Sequence, residues 1–175
     1  MATNAERTAV CCLSSVNLEK YDEWKDTSLV TDLIHMLDNV ITAFDEMPHV
    51  KQEVRDYIWR ARNSAQRERS LGLGAMGFHA YLQSKMIPFE SGEAMVINNT
   101  IFSEIRAEAQ MASYDLARTR GYAPDYLDAE KVLKRDGKVL LKGEMKRNMH
   151  LMAIAPNASS SILCGNTSPS IEPFA

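Results

Sequence analysis

Several patterns that define large classes of protein are missing from this sequence. It has only three cysteines in 175 residues, and this low, odd count does not fit the disulfide framework of a secreted domain. No apolar run is long enough to span a membrane, and the N-terminus lacks the basic and then apolar layout of a signal peptide. Internal repeats and low-complexity tracts are absent too. We therefore expect a cytoplasmic protein with reduced thiols and no membrane contact.

A strong excess of either charge is also missing. The chain has 20 basic and 23 acidic side chains, and its net charge of −3 gives no reason to expect a nucleic acid as a partner. Hydrophobic residues make up 45% and charged residues 25% of the sequence, which is ordinary for a soluble globular protein. The length is sufficient for one domain with a substantial core.

Metal-binding patterns are not visible either. None of the four histidines lies at metal-ligand spacing from another histidine or from a cysteine, so we expect no metal site. No Ser-His-Asp context, such as a nucleophile elbow, is present.

The hydrophobic patterns that are present predict an α/β protein. Residues 8–18, the short apolar segment LGLGAMG and the segment MHLMAIA have the composition of buried strands. Between them the spacing of apolar residues predicts several helices. The first ends at Pro48 and has an apolar side formed by Leu29, Leu33, Leu37, Val40, Ile41 and Phe44. A more polar helix is expected over 50–66 and a short one near 128–137. The clearest is 91–121, with Ser91 as N-cap, Gly121 at its end and an apolar side formed by Val96, Ile97, Ile101, Ile105 and Leu116. Strands separated by helices imply crossover connections and parallel pairing. Three strands are few for a closed barrel, so we expect a piece of something larger.

Three glycines in LGLGAMG match the pattern G-x-G-x-x-G. A dinucleotide-binding fingerprint has this spacing, follows a hydrophobic strand and has an acidic residue about 20 positions later, where Glu93 lies. The preceding RNSAQRERS is polar and charged, which does not fit a central strand. The alternative is that small residues let a strand and a helix pack closely. A nicotinamide-dependent oxidoreductase resting on Gly72, Gly74 and Gly77 is thus a minor hypothesis.

Small and hydroxylic residues follow the last predicted strand, in PNASSS from Pro156 to Ser161. In parallel α/β folds, ligands gather at the carboxyl ends of strands, where small residues let a phosphate approach backbone N–H groups. No lysine accompanies the segment, so it is not a P-loop. A solvated, serine-rich loop is an equally good interpretation of these residues alone.

Two of the cysteines are adjacent, at Cys11 and Cys12. Because a disulfide between neighbouring residues is strained, we do not expect one here. In a strand, successive side chains point to opposite faces, so at most one of the two thiols can face a common site. The two predicted faces are Cys11, Leu13 and Ser15 on one side and Val10, Cys12 and Ser14 on the other. The alternative is that both cysteines are small buried hydrophobes.

Taken together, these segments resemble the large, catalytic subunit of class I ribonucleotide reductase. AVCCLSSVNL resembles that family's redox-cysteine strand, a C-x-L-S/A-x-x-N-L pattern. The family's order and spacing continue through RSLGLGAMGFHAYL, IPFES, INNTIFSEI and DLARTRGY. RNMHLMAIAPNASSSILCGNTSPSIEP resembles the segment with the substrate-phosphate loop and the S-I-E-P sequence. The resemblance covers nearly the whole chain from about Arg7.

The resemblance implies a fold, a reaction and a set of site residues. The fold is a ten-stranded α/β barrel, of which residues 1–175 would form one incomplete domain. The reaction is reduction of the 2′-hydroxyl of ribonucleoside diphosphates, in which a thiyl radical abstracts the 3′-hydrogen and a cysteine pair forms a disulfide. The family register places the redox cysteine at Cys11 and leaves Cys12 to packing. It places phosphate binding on the residues that follow Pro156, namely Asn157, Ala158, Ser159, Ser160 and, less firmly, Ser161.

The same resemblance implies partners and parts that this sequence does not supply. We expect the remaining large-subunit segments, a second large subunit, a small metal-containing subunit that generates the radical, and thioredoxin or glutaredoxin as reductant. No cofactor is expected to bind this chain itself. The N-x-C-x-E finger-loop motif and the partner redox cysteine are not found in the sequence, so we expect no activity from the chain alone. An alternative of a different class is a non-catalytic helical interaction module with a reductase-like sequence.

Overall fold

Residues 3–47, 50–137 and 145–173 are described by a computed structural model of the chain. The predicted helix end at Pro48 lies outside these residues. In chain order the elements are strand β1 (Cys12–Asn17), a short 3-10 helix (Leu18–Lys20), and helices α1 (Tyr21–Trp24), α2 (Leu29–Glu46), α3 (Gln52–Tyr57) and α4 (Trp59–Glu68), then strand β2 (Leu71–Met76) and helices α5 (Phe78–Ser84), α6 (Gly92–Arg120), α7 (Pro124–Arg135) and α8 (Ala158–Leu163).

The two strands pair in parallel, as the helical crossovers predicted. Their register runs from Cys12 opposite Leu71 to Asn17 opposite Met76. All six residues of β2 are buried, whereas only one residue of β1 is. The expectation that residues 8–18 form a largely buried strand is therefore wrong, because β1 has no neighbouring strand on its outer edge among the described residues.

The predicted strand MHLMAIA runs alongside β2 but forms only a single bridge, between Leu73 and Met152. Backbone hydrogen bonds still hold it there: Leu71 and Leu73 donate their N–H groups to the carbonyls of His150 and Leu151, each at 2.9 Å. The segment leaves the sheet after Ala153, on the way to Pro156, whose ring provides no backbone donor. β2 thus lies between two parallel neighbours, and the α/β class is confirmed.

Helix α2 covers one face of this sheet. Its buried residues repeat at helical spacing, and Leu37 and Ile41 are buried as predicted. The stripe is partly displaced, since Val30 and Ile34 are also buried while Val40 is 47% exposed. Leu29 and Leu33 still pack against the core from its edge. The face of the sheet that α2 contacts carries the core side chains of the strands, which are Val16, Leu71, Leu73 and Ala75.

Helix α6 follows the sequence prediction closely. The Ser91 hydroxyl accepts the N–H of Ala94 at 3.1 Å, and Gly121 ends the helix with a φ of +86°. Its buried side includes Ile101, Ile105 and Leu116, as expected, whereas Val96 is exposed. The helix packs on α2, and the buried residues in its middle include the small side chains of Ala109, Ala112 and Ser113.

Two other helical predictions need correction. The single polar helix expected over 50–66 is divided into α3 and α4 at Ile58, whose φ and ψ of −99° and 16° leave the helical region. The short helix expected near 128–137 begins earlier, at Pro124, where proline suits a first helical turn because its missing N–H has no partner there.

A buried carboxylate, Asp38 of α2, ties the starts of the strands to the helices. Arg69, just before β2, donates its Nε to Oδ1 at 2.8 Å, and Asn148 donates its Nδ2 to the same oxygen at 3.0 Å. Arg120 at the end of α6 donates to Oδ2 at 3.2 Å, and Arg147 lies 3.4 Å from Oδ1. We call these five residues the Asp38 network; Asp38 itself is fully buried.

None of the helices in the described part of the chain combines the length and the apolar character that crossing a membrane requires.

Candidate functional site

The face of the sheet turned away from α2 is formed by small side chains. The register pairs Leu13 with Gly72 and Ser15 with Gly74, so these four residues point to the same side. We call them the open face. Leu13 is 54% exposed on it, whereas Gly72 and Gly74 are buried. The part of the open face that is available for contact with a ligand or with another part of the protein is therefore the Leu13 side chain.

Cys11 lies at the start of the open face. Its Sγ is 3.1 Å from the point that a methyl group on Gly72 would occupy, so the thiol lies directly over that glycine. A methyl there would also overlap the side chain of Leu13. The absence of a side chain at position 72 is what leaves room for the thiol on this side of the sheet.

The two adjacent thiols lie on opposite faces of the sheet. The Sγ of Cys11 lies over Gly72 on the face turned away from α2, whereas Cys12 pairs with Leu71, whose side chain lies on the face that α2 covers. Both residues border one apolar cavity of about 210 Å³, together with Val40, Ile41, Phe44, Val10 and Ala65. Cys12 also packs against the core, in agreement with a packing role.

All three cysteines are free thiols. Burial raises the pKa of Cys11 above its ordinary value, and a negative charge on Cys12 would raise it further. Burial also raises the pKa of Cys12. At neutral pH both groups are therefore protonated thiols, which can give up hydrogen but are poor nucleophiles. Cys164 is exposed, at the end of α8.

The predicted phosphate-binding residues fall on the start of α8. Asn157 precedes the helix, and its side-chain amide donates to the Ala155 carbonyl at 2.7 Å. Ala158, Ser159 and Ser160 form the first turn and are exposed, and their N–H groups have no partner inside the helix. This turn presents several hydrogen-bond donors to solvent.

Ser161 differs from the other residues of this segment. It is buried, and its hydroxyl donates to the Ala158 carbonyl at 3.0 Å. Its backbone N–H donates to the Asn157 carbonyl at 2.8 Å, which closes the first turn of the helix. The serines that face solvent are thus Ser159 and Ser160.

A cleft of about 420 Å³ connects the open face to this segment. Its lining comes from β1, the end of β2 and residues 155–164: Leu13, Ser14, Ser15, Met76, Ala155, Pro156, Asn157, Ser160 and Cys164. Cys11 lies outside the lining, two residues before Leu13, a separation of about 7 Å along an extended chain. The cleft thus leads from the neighbourhood of Cys11 to two predicted phosphate-binding residues, Asn157 and Ser160.

The glycines of the G-x-G-x-x-G pattern do not have the setting of a dinucleotide site. In that fingerprint a strand precedes the first glycine, but here Gly72 and Gly74 lie inside β2 and helix α4 precedes the strand. The glycines were also expected to let a strand pack closely against a helix, but the close contact that they make is a different one. A methyl on Gly74 would overlap the backbone carbonyl of Ala153 in the neighbouring segment. The nicotinamide hypothesis is therefore withdrawn.

Sequence reasoning missed several residues that shape the cleft. Ser14 and Ser15 line it, and the Ser15 hydroxyl is buried without a hydrogen-bond partner among the described residues. Asn17 links the end of β1 to the residue that follows α8, because its Nδ2 donates to the Cys164 carbonyl at 3.4 Å. An asparagine at the end of a predicted strand is a capping signal, but nothing local indicates a partner 147 positions away.

Among the described residues, no group of three or more histidine, cysteine, aspartate or glutamate side chains could hold a metal ion.

Comparison with known proteins gives matches over the whole chain. The family model described as "Ribonucleotide reductase, barrel domain" matches residues 1–175. A provisionally named ribonucleoside-diphosphate reductase large subunit of Frog virus 3 (isolate Goorha) is 50% identical over 174 residues, which is 99% of this chain and 27% of that protein. The ribonucleoside-diphosphate reductase large subunit of Invertebrate iridescent virus 6 is 46% identical over 175 residues, or 99% of this chain and 16% of that protein.

A solved structure gives the same result for the fold. The class Id ribonucleotide reductase alpha subunit of Actinobacillus ureae matches with a TM-score of 0.80 and 40% sequence identity. The match covers 98% of this chain and 29% of that structure. In each of these comparisons, the chain spans less than a third of the length of the protein it matches.

Proposed function

Because the chain belongs to the family of the ribonucleotide reductase barrel domain, we propose that it contributes a redox thiol and a phosphate-binding segment to a ribonucleoside-diphosphate reductase. The thiol is Cys11. The phosphate-binding residues are Asn157, Ala158, Ser159 and Ser160, with Ser161 closing the turn that presents them. The observation that carries the proposal is the cleft that leads from the Cys11 side of the sheet to Asn157 and Ser160.

The proposed reaction is the replacement of the ribose 2′-hydroxyl by hydrogen. The C2′–O bond breaks and the oxygen leaves as water, while a C2′–H bond forms. Two thiols, Cys11 and a cysteine outside this chain, lose their hydrogens and form a disulfide, so they supply the two electrons and two protons that the reduction requires. A raised pKa supports this role for Cys11, since the thiol keeps the hydrogen that it must donate.

The phosphate segment supports the proposal through its donors. The hydroxyls of Ser159 and Ser160 and the first-turn N–H groups of α8 are the kind of neutral donors that bind a diphosphate. They lie at the carboxyl end of the parallel strands, where ligands of α/β folds bind. The side of the cleft formed by Leu13 and Met76 offers apolar surface between this segment and the thiol.

The proposal includes partners that complete the enzyme. They are the remaining large-subunit segments, a second large subunit, the small subunit that generates the radical, and thioredoxin or glutaredoxin to reduce the disulfide after each turnover. The relatives' large-subunit names support the pairing with a small subunit. We expect the chain to have no reductase activity until these partners are added.

The two adjacent cysteines give the experiment a matched control. In the reductase assembled with all of its segments, Cys11→Ser is expected to abolish multiple turnover with a dithiol reductant. Cys12→Ser is expected to reduce turnover less than about threefold, because it changes only packing. Deoxynucleotide formation over many cycles is the measurement. Full multiple turnover in both variants would reject a redox thiol in this chain and leave the non-catalytic module as the better hypothesis. Loss of turnover only in Cys12→Ser would reject the assignment to Cys11.

A further inference from the structure

The amide of Asn17 makes a hydrogen bond at each end. Its Oδ1 accepts the N–H of Glu19 at 3.0 Å, which caps the short helix after β1. Its Nδ2 donates to the carbonyl of Cys164 at 3.4 Å. The first bond is local, whereas the second joins the end of β1 to the C-terminal end of α8.

The end of β2 contacts the same region from the other side. The N–H of Gly77 donates to the Ser168 carbonyl at 2.8 Å, so the turn that follows α8 is bound to the strand end. A methyl on Gly77 would lie 2.5 Å from the Asn17 Oδ1 and 2.7 Å from the Thr167 Oγ1. Position 77 also has a φ of +79°, which favours glycine. The strand ends and the residues after α8 are therefore packed at van der Waals limits.

These contacts hold the C-terminal end of α8, whereas its first turn is exposed to solvent. The residues that follow the helix, Thr167 and Ser168, are buried, whereas Ser159 and Ser160 in its first turn are exposed. A helix of six residues is about 9 Å long, so a shift at its anchored end moves the exposed turn by a similar amount. A displacement of about 1 Å is enough to weaken hydrogen bonds to a ligand.

We propose that Asn17 is a positioning residue for the phosphate-binding segment. By holding the Cys164 carbonyl, it sets the distance between the first turn of α8 and the open face, and so the fit of a nucleoside diphosphate in the cleft. Asn17 does not touch the phosphate in this arrangement; it acts through the helix. The inference rests on the proposed function, because it needs α8 to bind the substrate phosphate.

Asn17→Asp keeps one of the two hydrogen bonds of this side chain and removes the other. Aspartate keeps the Oδ1 acceptor for the Glu19 N–H, but it places an oxygen opposite the Cys164 carbonyl where a donor was. In the assembled reductase, we expect KM for the nucleoside diphosphate to rise about threefold to tenfold, the effect of one hydrogen bond, while kcat changes less than about twofold. Asn17→Ser, which caps the helix but is too short to reach Cys164, is the second variant, and the same result is expected.

The control is Ser91→Ala, which removes the cap of α6 at a site outside the cleft. It loses a similar capping bond, so it shows what stability loss alone does to KM, and no change in KM is expected. If both Asn17 variants keep the wild-type KM, or if only kcat falls, the positioning role is wrong.

A third variant distinguishes this failure from failure of the proposed function. Replacing Ser159 and Ser160 together by alanine removes donors that the phosphate would contact directly, so it is expected to raise KM at least as much as Asn17→Asp. An unchanged KM in this double variant would overturn the phosphate site itself. A raised KM there, with a wild-type KM in both Asn17 variants, would overturn only the inference about Asn17.

Discussion

At the scale of single residues, the two adjacent thiols are similar in burial but different in surroundings. Cys12 packs against the core of the protein, while Cys11 lies over a glycine on the opposite side of the sheet. The charge on one thiolate opposes ionisation of the other, and burial opposes both. At neutral pH both thiols of the pair are therefore protonated.

The pH dependence of alkylation tests this property of Cys11. Its pKa lies above the ordinary value, so the thiolate fraction, and with it the alkylation rate, should keep rising with pH after a free cysteine has levelled off. Iodoacetamide labelling of Cys11 at a series of pH values, followed by peptide mass spectrometry, measures this, with glutathione as the reference. A Cys11 profile that levels off at lower pH than glutathione would contradict the raised pKa.

At the scale of elements, the two neighbours of β2 limit the size of the side chains that this strand can carry. The strand lies between β1 and the segment around Met152, and its glycines face the side chains and backbone of both neighbours. Gly74 is the tighter of the two positions, because the group that a methyl would meet is a backbone carbonyl, which cannot rotate away. The close spacing of the three parallel segments thus depends on this residue.

Two glycine substitutions compare a crowded and an open position. Gly74→Ala is expected to destabilise the protein by about 1–3 kcal/mol, because the segment around Ala153 must move. Gly92→Ala, in the first turn of α6 with nothing within 4 Å of the added methyl, is expected to be neutral or stabilising by up to about 1 kcal/mol. Urea unfolding of both variants gives the free energies. Equal changes in the free energy of unfolding of the two variants would show that the neighbours of Gly74 can move aside without loss of stability.

The same element shows what sequence patterns can and cannot predict. The strand at LGLGAMG, helix α6 with its cap at Ser91, and the parallel class all follow from local composition and periodicity. The requirement for glycine at positions 72 and 74 cannot be predicted in this way, because it depends on contacts with Cys11 and Ala153, which are far away in sequence. Asn157 and Ser160 of the segment that the family resemblance indicated line the cleft, and Cys11 lies two residues before its lining residue Leu13. The resemblance did not indicate the bond from Asn17 to Cys164.

At the scale of the whole molecule, the Asp38 network holds the helical layer to the starts of the strands. Burial alone would raise the pKa of Asp38, but the hydrogen bond from Arg69 and the charges of Arg69 and Arg147 outweigh it, so the pKa lies below its ordinary value. A lowered pKa means that the charged form stabilises the folded state. This contribution is complete above the unfolded-state pKa and is lost as the pH falls through the folded-state value.

Asp38→Asn is expected to lower the free energy of unfolding at neutral pH by about 3–5 kcal/mol, because it leaves buried arginines without their carboxylate. The difference in free energy of unfolding between wild type and Asp38→Asn should stay constant above about pH 5. It should become smaller below about pH 4, because Asp38 in the wild type becomes protonated. Urea unfolding from pH 3 to pH 7 is the measurement. The control, Asp115→Asn, breaks an exposed ion pair with Arg118 and should cost less than about 1 kcal/mol. A difference between wild type and Asp38→Asn that becomes larger in acid would contradict the stabilising role of the charged Asp38 side chain.

The Asp38 network also has a consequence for how the chain reaches this fold. Its partners lie at sequence separations of 31 to 110 residues, so the network closes only after long loops have been brought together. Helices α2 and α6 can gain their first turns from local contacts well before that. We therefore expect the network to form late in folding. Interactions that form late do little to speed folding, but they slow unfolding, which lengthens the lifetime of the folded protein.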